Sequence, residues 1–320
     1  MNVLVTGATS MLGRATAKLL LQRGDNVTVF QRSDSGLDAK QILGDMTDRS
    51  DIRSAVDGQD AVIHCAAKVA AVGEWHDFAS VNVEGTAVLV AAAIEAGVSR
   101  FVHVSSPSVA HGGEALVGAP ASPADPTITH GGYATSKAHG ELVALAANSS
   151  DLAVVAIRPH LVWGPGDTQL VGRIVDRARV GRLALVGSGA ALIDTTYVTN
   201  AADALVAALD AANELGGRAL VVSNGQPRTV YELISRILLA AGVEMPSRHV
   251  PAQIAIGGGA VAEKVWNRLG RTDDPPMTSF LAEQLSTAHW FDQRETRSAL
   301  GWAPRISLDE GFAELALSFR

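Results

Sequence analysis

One cysteine in 320 residues, Cys65, excludes an intramolecular disulfide and the small secreted scaffolds that rely on them. Basic residues are not in excess: 26 Lys and Arg against 33 Asp and Glu leave a formal charge of −7, which disfavours a general binder of nucleic acid or of anionic membranes. No apolar run approaches the ~18 uninterrupted residues of a membrane-spanning helix. The N-terminal MNVLVTG lacks the basic region and cleavage site of a signal peptide. These absences predict a cytoplasmic protein with no transmembrane segment and a small molecule as its partner. The 9 histidines are scattered without ligand spacing or an acidic cluster, so no metal site is expected. Aromatics are scarce at 5%, which makes each of the 3 tyrosines worth placing. What is present is a globular composition, 47% apolar and 18% charged, long enough to bury a full core.

Short β-branched runs alternate with Ala-rich stretches through the first half. The runs at Val3 to Val5, Val27 to Phe30, Gln41 to Leu43, Ala61 to His64, Phe101 to Ser105 and Ala153 to Arg158 are nearly all apolar, as strands covered on both faces should be. Helices are expected near Leu12 to Arg23, Ser50 to Val56, Ser80 to Ala96 and Tyr133 to Asn148, with Gly24 and Gly97 as C-caps. This order predicts an α/β fold, a doubly wound parallel sheet of the Rossmann kind. After Gly164-Pro165-Gly166 the regularity changes: a basic helix over Arg173 to Arg182, short strands near Leu183 to Val186 and Leu220 to Val222, then late helices. Residues 1–165 are therefore expected to form the first domain and 166–320 a smaller C-terminal one, some of whose elements pack back on the first. Between Pro251 and Pro276, Val261, Val265 and Leu269 recur at helical spacing beside Trp266, a stripe that suits core and oily lid equally.

TGATSMLG, residues 6 to 13, follows the first strand and runs into the first helix. That context makes it a candidate dinucleotide loop: Gly7 for the tight turn, Gly13 for close helix-to-strand contact, and Thr9, Ser10, Met11 and Leu12 facing a pyrophosphate at the positive helix end. Ser10 stands where such loops carry a middle glycine, so its Cβ pushes the pyrophosphate outward unless its hydroxyl bonds a phosphate oxygen. The end of the second strand reads Phe30-Gln31-Arg32, with Arg32 where an acidic residue would bind the ribose of NAD. A guanidinium there favours NADP(H) over NAD(H). Asp45 and Met46, after the third strand, are expected at the adenine, with helix capping as the other use of Asp45.

Tyr133 and Lys137 stand four residues apart on one helix face, with Cβ atoms ~5–6 Å apart. A phenol of pKa ~10 needs a neighbouring ammonium to work as an acid or base near neutrality. Ser106, in VHVSSPS at the carboxyl end of a central strand, is expected to hold the substrate oxygen, with Ser105 as the adjacent candidate. Cys65 has no evident base and reads as a buried apolar residue. His103 is expected to pack; His160 and Trp163 suit either substrate contact or packing.

The strings TGATSMLG, GDMTD, VIHCAA, NVEGT, VSSPSV, YATSK and IRPHLVWGPGD together resemble the extended short-chain dehydrogenase/reductases. DTTYVTNAADA, SNGQP and PPMTSFLAEQLSTAHW are similar to the 3β-hydroxysteroid dehydrogenase-like branch. The resemblance implies a nicotinamide cofactor, a catalytic set of Ser106, Tyr133 and Lys137, and cofactor contacts from Ala66, Ala67 and Pro159. Asn82 matches a family asparagine, which helix packing explains equally well. It further implies a large apolar ketone or alcohol, 2-alkyl-3-oxoalkanoate or sterol-like, as substrate. A nucleotide-sugar epimerase or dehydratase with tightly bound NAD, its diphosphate held by Arg173, Arg177, Arg179 and Arg182, and a non-catalytic dinucleotide sensor are the alternatives. The assembly state is open, a homodimer among the options.

Overall fold

Seven parallel strands form the central sheet of the computed structural model, in the order Ala219–Val222, Ala153–Pro159, Arg100–Val104, Ala61–His64, Asn2–Thr6, Asn26–Gln31 and Lys40–Leu43. Residues 1–70, 72–269, 271 and 275–320 are described. The six expected strands are all present, because runs without polar interruption are stable only where helices cover both faces. Val3, Val5, Ile63, Val102, Val155 and Ile157 pack on one side against Leu20, Leu205 and Leu209. Leu4, Val62, Phe101 and Val154 point to the other side, against Ile52, Leu89 and Ala144. Strand order reverses between Asn2–Thr6 and Ala61–His64, which opens a cleft at their carboxyl ends.

The seventh strand is a second-half element that packs back on the first half: Leu220 to Val222 lies in Ala219–Val222, which pairs in parallel with Ala153–Pro159 and forms one edge of the main sheet. Its neighbour Val198–Asp210 packs on the same sheet through Ala204, Leu205, Ala208 and Leu209. The expected helix Ser80 to Ala96 differs: it begins as Trp75–Ala79, passes through a π-helical turn at Ser80–Glu84 and continues as Gly85–Glu95. Among the described residues, this 21-residue stretch alone is long and apolar enough to cross a bilayer. Here it buries Phe78, Asn82, Thr86 and Leu89 within the protein.

Three strands of the second half, Arg228–Thr229, Leu192–Ile193 and His289–Phe291, join Leu116–Ala119 of the first half in a four-stranded sheet. The core of the second half gathers around Trp163, Tyr197 and Phe312. Trp163 is fully buried, stacks on Phe312 at 4.5 Å and donates Nε1–H to Thr195 Oγ1 at 3.0 Å, so it packs. The basic helix spans Val171–Arg179, leaving Arg182 beyond its end. Val261 and Val265 lie on the helix Ala252–Arg268 and Leu269 just past its end, and the three are 63%, 42% and 67% exposed, so the stripe is not core. Gly270 and residues 272–274 of that stretch lie outside the described residues.

Candidate active site

Two close approaches shape the loop after the first strand. Gly7 has φ +72°, and a Cβ on it would sit 2.8 Å from the backbone of Ala66. A Cβ on Gly13 would lie 2.4 Å from the Gly7 carbonyl oxygen. Only glycine fits either position. Ser10 settles its own open question: its hydroxyl donates to Gly7 O at 2.8 Å and accepts from Gly13 N at 3.1 Å. It is the N-cap of Met11–Arg23, with its single proton held inside the loop. Met11 and Leu12, the first two helical residues, have no carbonyl a turn earlier within the helix to accept from their N–H groups, and both residues line the cleft.

The adenine end differs in detail from expectation. Asp48, not Asp45, caps Arg49–Val56, accepting from Ser50 N and Asp51 N. Asp45 turns its carboxylate onto Thr47 N and Thr47 Oγ1 at 2.9 and 2.8 Å. Those bonds, with a further contribution from the Arg32 charge, hold it below the usual carboxylate range. Met46 buries its side chain in the second core layer. Arg32 is exposed at the end of Asn26–Gln31. A carboxylate does stand close by: Asp34 accepts from Gly36 N at 2.7 Å and Gln41 Nε2 at 2.8 Å, with the Arg14 charge acting on it. Arg14 lines the cleft, which no sequence pattern flagged.

Tyr133 and Lys137 lie on the helix Gly131–Ala146, next to the carboxyl end of Arg100–Val104. Ser106 caps the short turn Pro107–Ala110, shares a hydrogen bond with Ser108 Oγ at 2.9 Å and lies near enough to the Tyr133 phenol to act on its proton affinity. The Ser105 hydroxyl is buried and has no hydrogen-bond partner among the described residues. Lys137 is 3% exposed and donates Nζ–H to Val104 O at 2.6 Å. Burial lowers its pKa to about 8, while Glu141 one turn on, and Cys65, act to raise it.

The expected effect of lysine on tyrosine is absent from this arrangement. Burial pushes the Tyr133 phenol above its ordinary value, and the counteracting interaction comes from Ser106 rather than Lys137. The phenol is thus held protonated, in the form that donates a proton.

Asn82 ties these pieces together. Its Oδ1 accepts from Lys68 N at 2.7 Å; its Nδ2 donates to Lys68 O at 3.1 Å and to Ser136 Oγ at 2.9 Å. It thereby joins the segment after Ala66 and Ala67 to the helix of Tyr133. Beneath them His64 accepts from Thr6 Oγ1 at 2.8 Å, and Ala66 N donates to the same oxygen at 3.1 Å. Burial takes His64 down to about 3 and Cys65 up to about 12, so both are inert near neutrality. His103 packs beside His64 as expected, with ring centroids 5.4 Å apart.

A cavity of about 1020 Å³ joins the loop to the second half. Thr9, Ser10, Met11, Leu12, Ser105, Ser106, Tyr133 and Pro159 line it. Arg32, Asp45, Met46, Ala66 and Ala67 sit outside that wall, at the carboxyl ends of neighbouring strands. The far wall is apolar, with Ile174, Leu233, Ile234, Phe280, Leu281 and Leu285. Three histidines, His111, His160 and His289, also reach it.

Residues 3–223 match the NAD dependent epimerase/dehydratase family. The chain is an extended short-chain dehydrogenase/reductase. It is 40% identical over 328 residues to the 2-alkyl-3-oxoalkanoate reductase of Stenotrophomonas maltophilia (strain K279a), covering 99% of each chain. It is 29% identical over 327 residues to the decarboxylating sterol-4-alpha-carboxylate 3-dehydrogenase of Homo sapiens, covering 99% of this chain and 87% of that one. Among solved structures, MoeE5 in complex with UDP-glucose and NAD superimposes with TM-score 0.78 over 99% of this chain and 98% of that one; at 23% identity this likeness speaks for the fold. This extended short-chain dehydrogenase/reductase is therefore an oxidoreductase of an NAD(P)-dependent family.

Proposed function

We propose that this oxidoreductase uses NADP(H) to interconvert a ketone and a secondary alcohol on a large apolar substrate, a 2-alkyl-3-oxoalkanoate or a sterol-like molecule. The observation that carries the reading is the joining of Ser106 and Tyr133 to an otherwise largely apolar cavity of about 1020 Å³. The cradle fits a dinucleotide: Gly7 and Gly13 leave the space that side chains would fill, and Met11 and Leu12 offer N–H groups. Arg32 and Arg14 suit a 2′-phosphate. Lys137 suits the ribose hydroxyls beside the nicotinamide.

When bound, the reduced nicotinamide supplies a hydride to the carbonyl carbon. Ser106 donates a hydrogen bond to the carbonyl oxygen, a bond that strengthens as negative charge grows there. Tyr133, kept protonated by burial, gives its proton to that oxygen and completes the alcohol. The resulting phenolate regains a proton from solvent.

A nucleotide-sugar reading needs cations for a diphosphate; of its four arginines Arg173 alone lines the cavity, while Arg179 and Arg182 are exposed. The test is NADPH and NADH oxidation with a 2-alkyl-3-oxoalkanoate, a keto-steroid and a nucleotide sugar. Turnover of an apolar ketone is expected; turnover of the nucleotide sugar alone would overturn the reading.

A further inference from the structure

His111 and His160 each present one buried ring nitrogen that has no hydrogen-bond partner among the described residues: Nε2 of His111 and Nδ1 of His160. Both side chains are 6% exposed, and both line the cavity. They are tethered to the reaction centre by the chain itself. His111 follows the short turn that begins after Ser106, and His160 follows Pro159.

The surrounding bonds fix which nitrogen carries a proton. Gln284 O is an obligate acceptor 2.9 Å from His289 Nε2, so that nitrogen is protonated. In the neutral ring the other nitrogen, His289 Nδ1, is a bare lone pair, and it lies 3.1 Å from His160 Nε2. His160 therefore donates from Nε2, which leaves Nδ1 as the bare nitrogen of a ring that lines the cavity. For His111 the logic runs the other way. Gly113 N–H donates to Nδ1 at 3.3 Å, so the neutral ring carries its proton on Nε2. All three rings are favoured neutral: burial takes His289 to about 4, and lowers His160 and His111 from the ordinary histidine value.

Two rings that line the cavity thus hold one unpaired donor and one unpaired acceptor. A ketone oxygen satisfies only the donor. A carboxyl group carrying one proton satisfies both, its carbonyl oxygen accepting from His111 and its hydroxyl donating to His160; a carboxylate on a protonated His160 is the same proton count. We propose that His111 and His160, backed by His289, seat the substrate's carboxyl group, and that binding an ionised carboxylate draws one proton from solvent. This inference rests on the ketone/alcohol reading above and names the residues that hold the carboxyl group which a 2-alkyl-3-oxoalkanoate carries. The titratable groups facing the pair are His289 beside His160, and His130 and Glu114 beside His111. Glu283 stands 3.9 Å from His130, and Asp194 gives its carboxylate to Ser223. Arg173, also on the cavity wall, bonds Gln169 Oε1 at 2.9 Å.

The test uses a 2-alkyl-3-hydroxyalkanoic acid, which unlike the β-keto acid does not lose carbon dioxide, and its methyl ester. Both are oxidised with NADP⁺, and binding of the acid to the enzyme with NADPH is followed calorimetrically in buffers of different ionisation enthalpy. Uptake of about one proton per acid bound near pH 7.5 is expected, with none for the ester. His160→Asn and His111→Gln should each lower the acid-to-ester ratio of kcat/KM at least tenfold, mainly through KM for the acid, with the ester reporting that each variant is folded. An unchanged ratio in both variants, no proton uptake, or a fall confined to Arg173→Gln would overturn the carboxyl seat while leaving the ketone/alcohol reading standing. Failure of the wild-type enzyme to oxidise acid, ester or any apolar alcohol would overturn both.

Discussion

Arg158 forks onto the carboxylate of Glu141, Nε to Oε2 at 2.8 Å and Nη2 to Oε1 at 2.5 Å, with both side chains 1% exposed. Its remaining nitrogen Nη1 donates to Ser122 O at 2.6 Å. The pair fastens the helix of Tyr133 and Lys137 to the strand that ends at Pro159. Removing one partner leaves a buried charge uncompensated, so Glu141→Gln is expected to cost about 3–5 kcal/mol in urea unfolding. The double change Glu141→Leu with Arg158→Met should cost less than either single change, because no charge is stranded.

Tyr133→Phe removes the proton donor and keeps the ring. Turnover should fall by about 10²–10⁴-fold, while NADPH affinity, read by fluorescence titration, stays within a few-fold of wild type. Undiminished turnover would remove the phenol from the chemistry.

Lys137 makes a stability prediction as well as a catalytic one. Its pKa falls from 10.5 to about 8 on folding, so between those values the unfolded chain binds more protons and stability rises with pH. The benefit is complete above about 10.5 and absent below about 8, where the buried ammonium carries a cost of about 3 kcal/mol. Lys137→Met should therefore stabilise the protein at pH 7 by about 2 kcal/mol, allowing for the bond that Val104 O loses. The gain should shrink between pH 8 and 10 in chemical denaturation, and turnover should be lost at every pH.

Cofactor choice is expected to rest on charge at the loop ends. Arg32→Ser should lower the NADPH-to-NADH ratio of kcat/KM about tenfold, the loss of roughly one charge-assisted hydrogen bond. The effect should weaken in high salt, since Arg32 is exposed. An unaltered ratio would move the discrimination to Arg14.

All seven sheet strands were legible as strands because continuous apolar runs such as Val3 to Val5 have no other stable home than a doubly covered sheet. The pairing of Tyr133 with Lys137 on one helix was legible from spacing alone. What lay beyond reach depends on where segments meet. Ala219–Val222 is as apolar as the other strands, but only its partner Ala153–Pro159 shows to which sheet it belongs. Asp45 and Asp48 are both plausible caps by type, and turn geometry chose Asp48. The grouping of His111, His160 and His289 spans three distant segments with no shared spacing. The lysine effect on the phenol failed for a related reason: proximity along a helix does not say that the Nζ turns to Val104 O.

The late arrival of the seventh strand has a consequence for anyone dividing this chain. A fragment stopped near residue 165 would carry the whole cofactor loop and Tyr133, yet it would leave Ala153–Pro159 as a bare, seven-residue hydrophobic rim. Such a rim templates edge-to-edge association, so the N-terminal half is expected to aggregate when expressed alone, and co-expression with residues 166–320 should restore solubility.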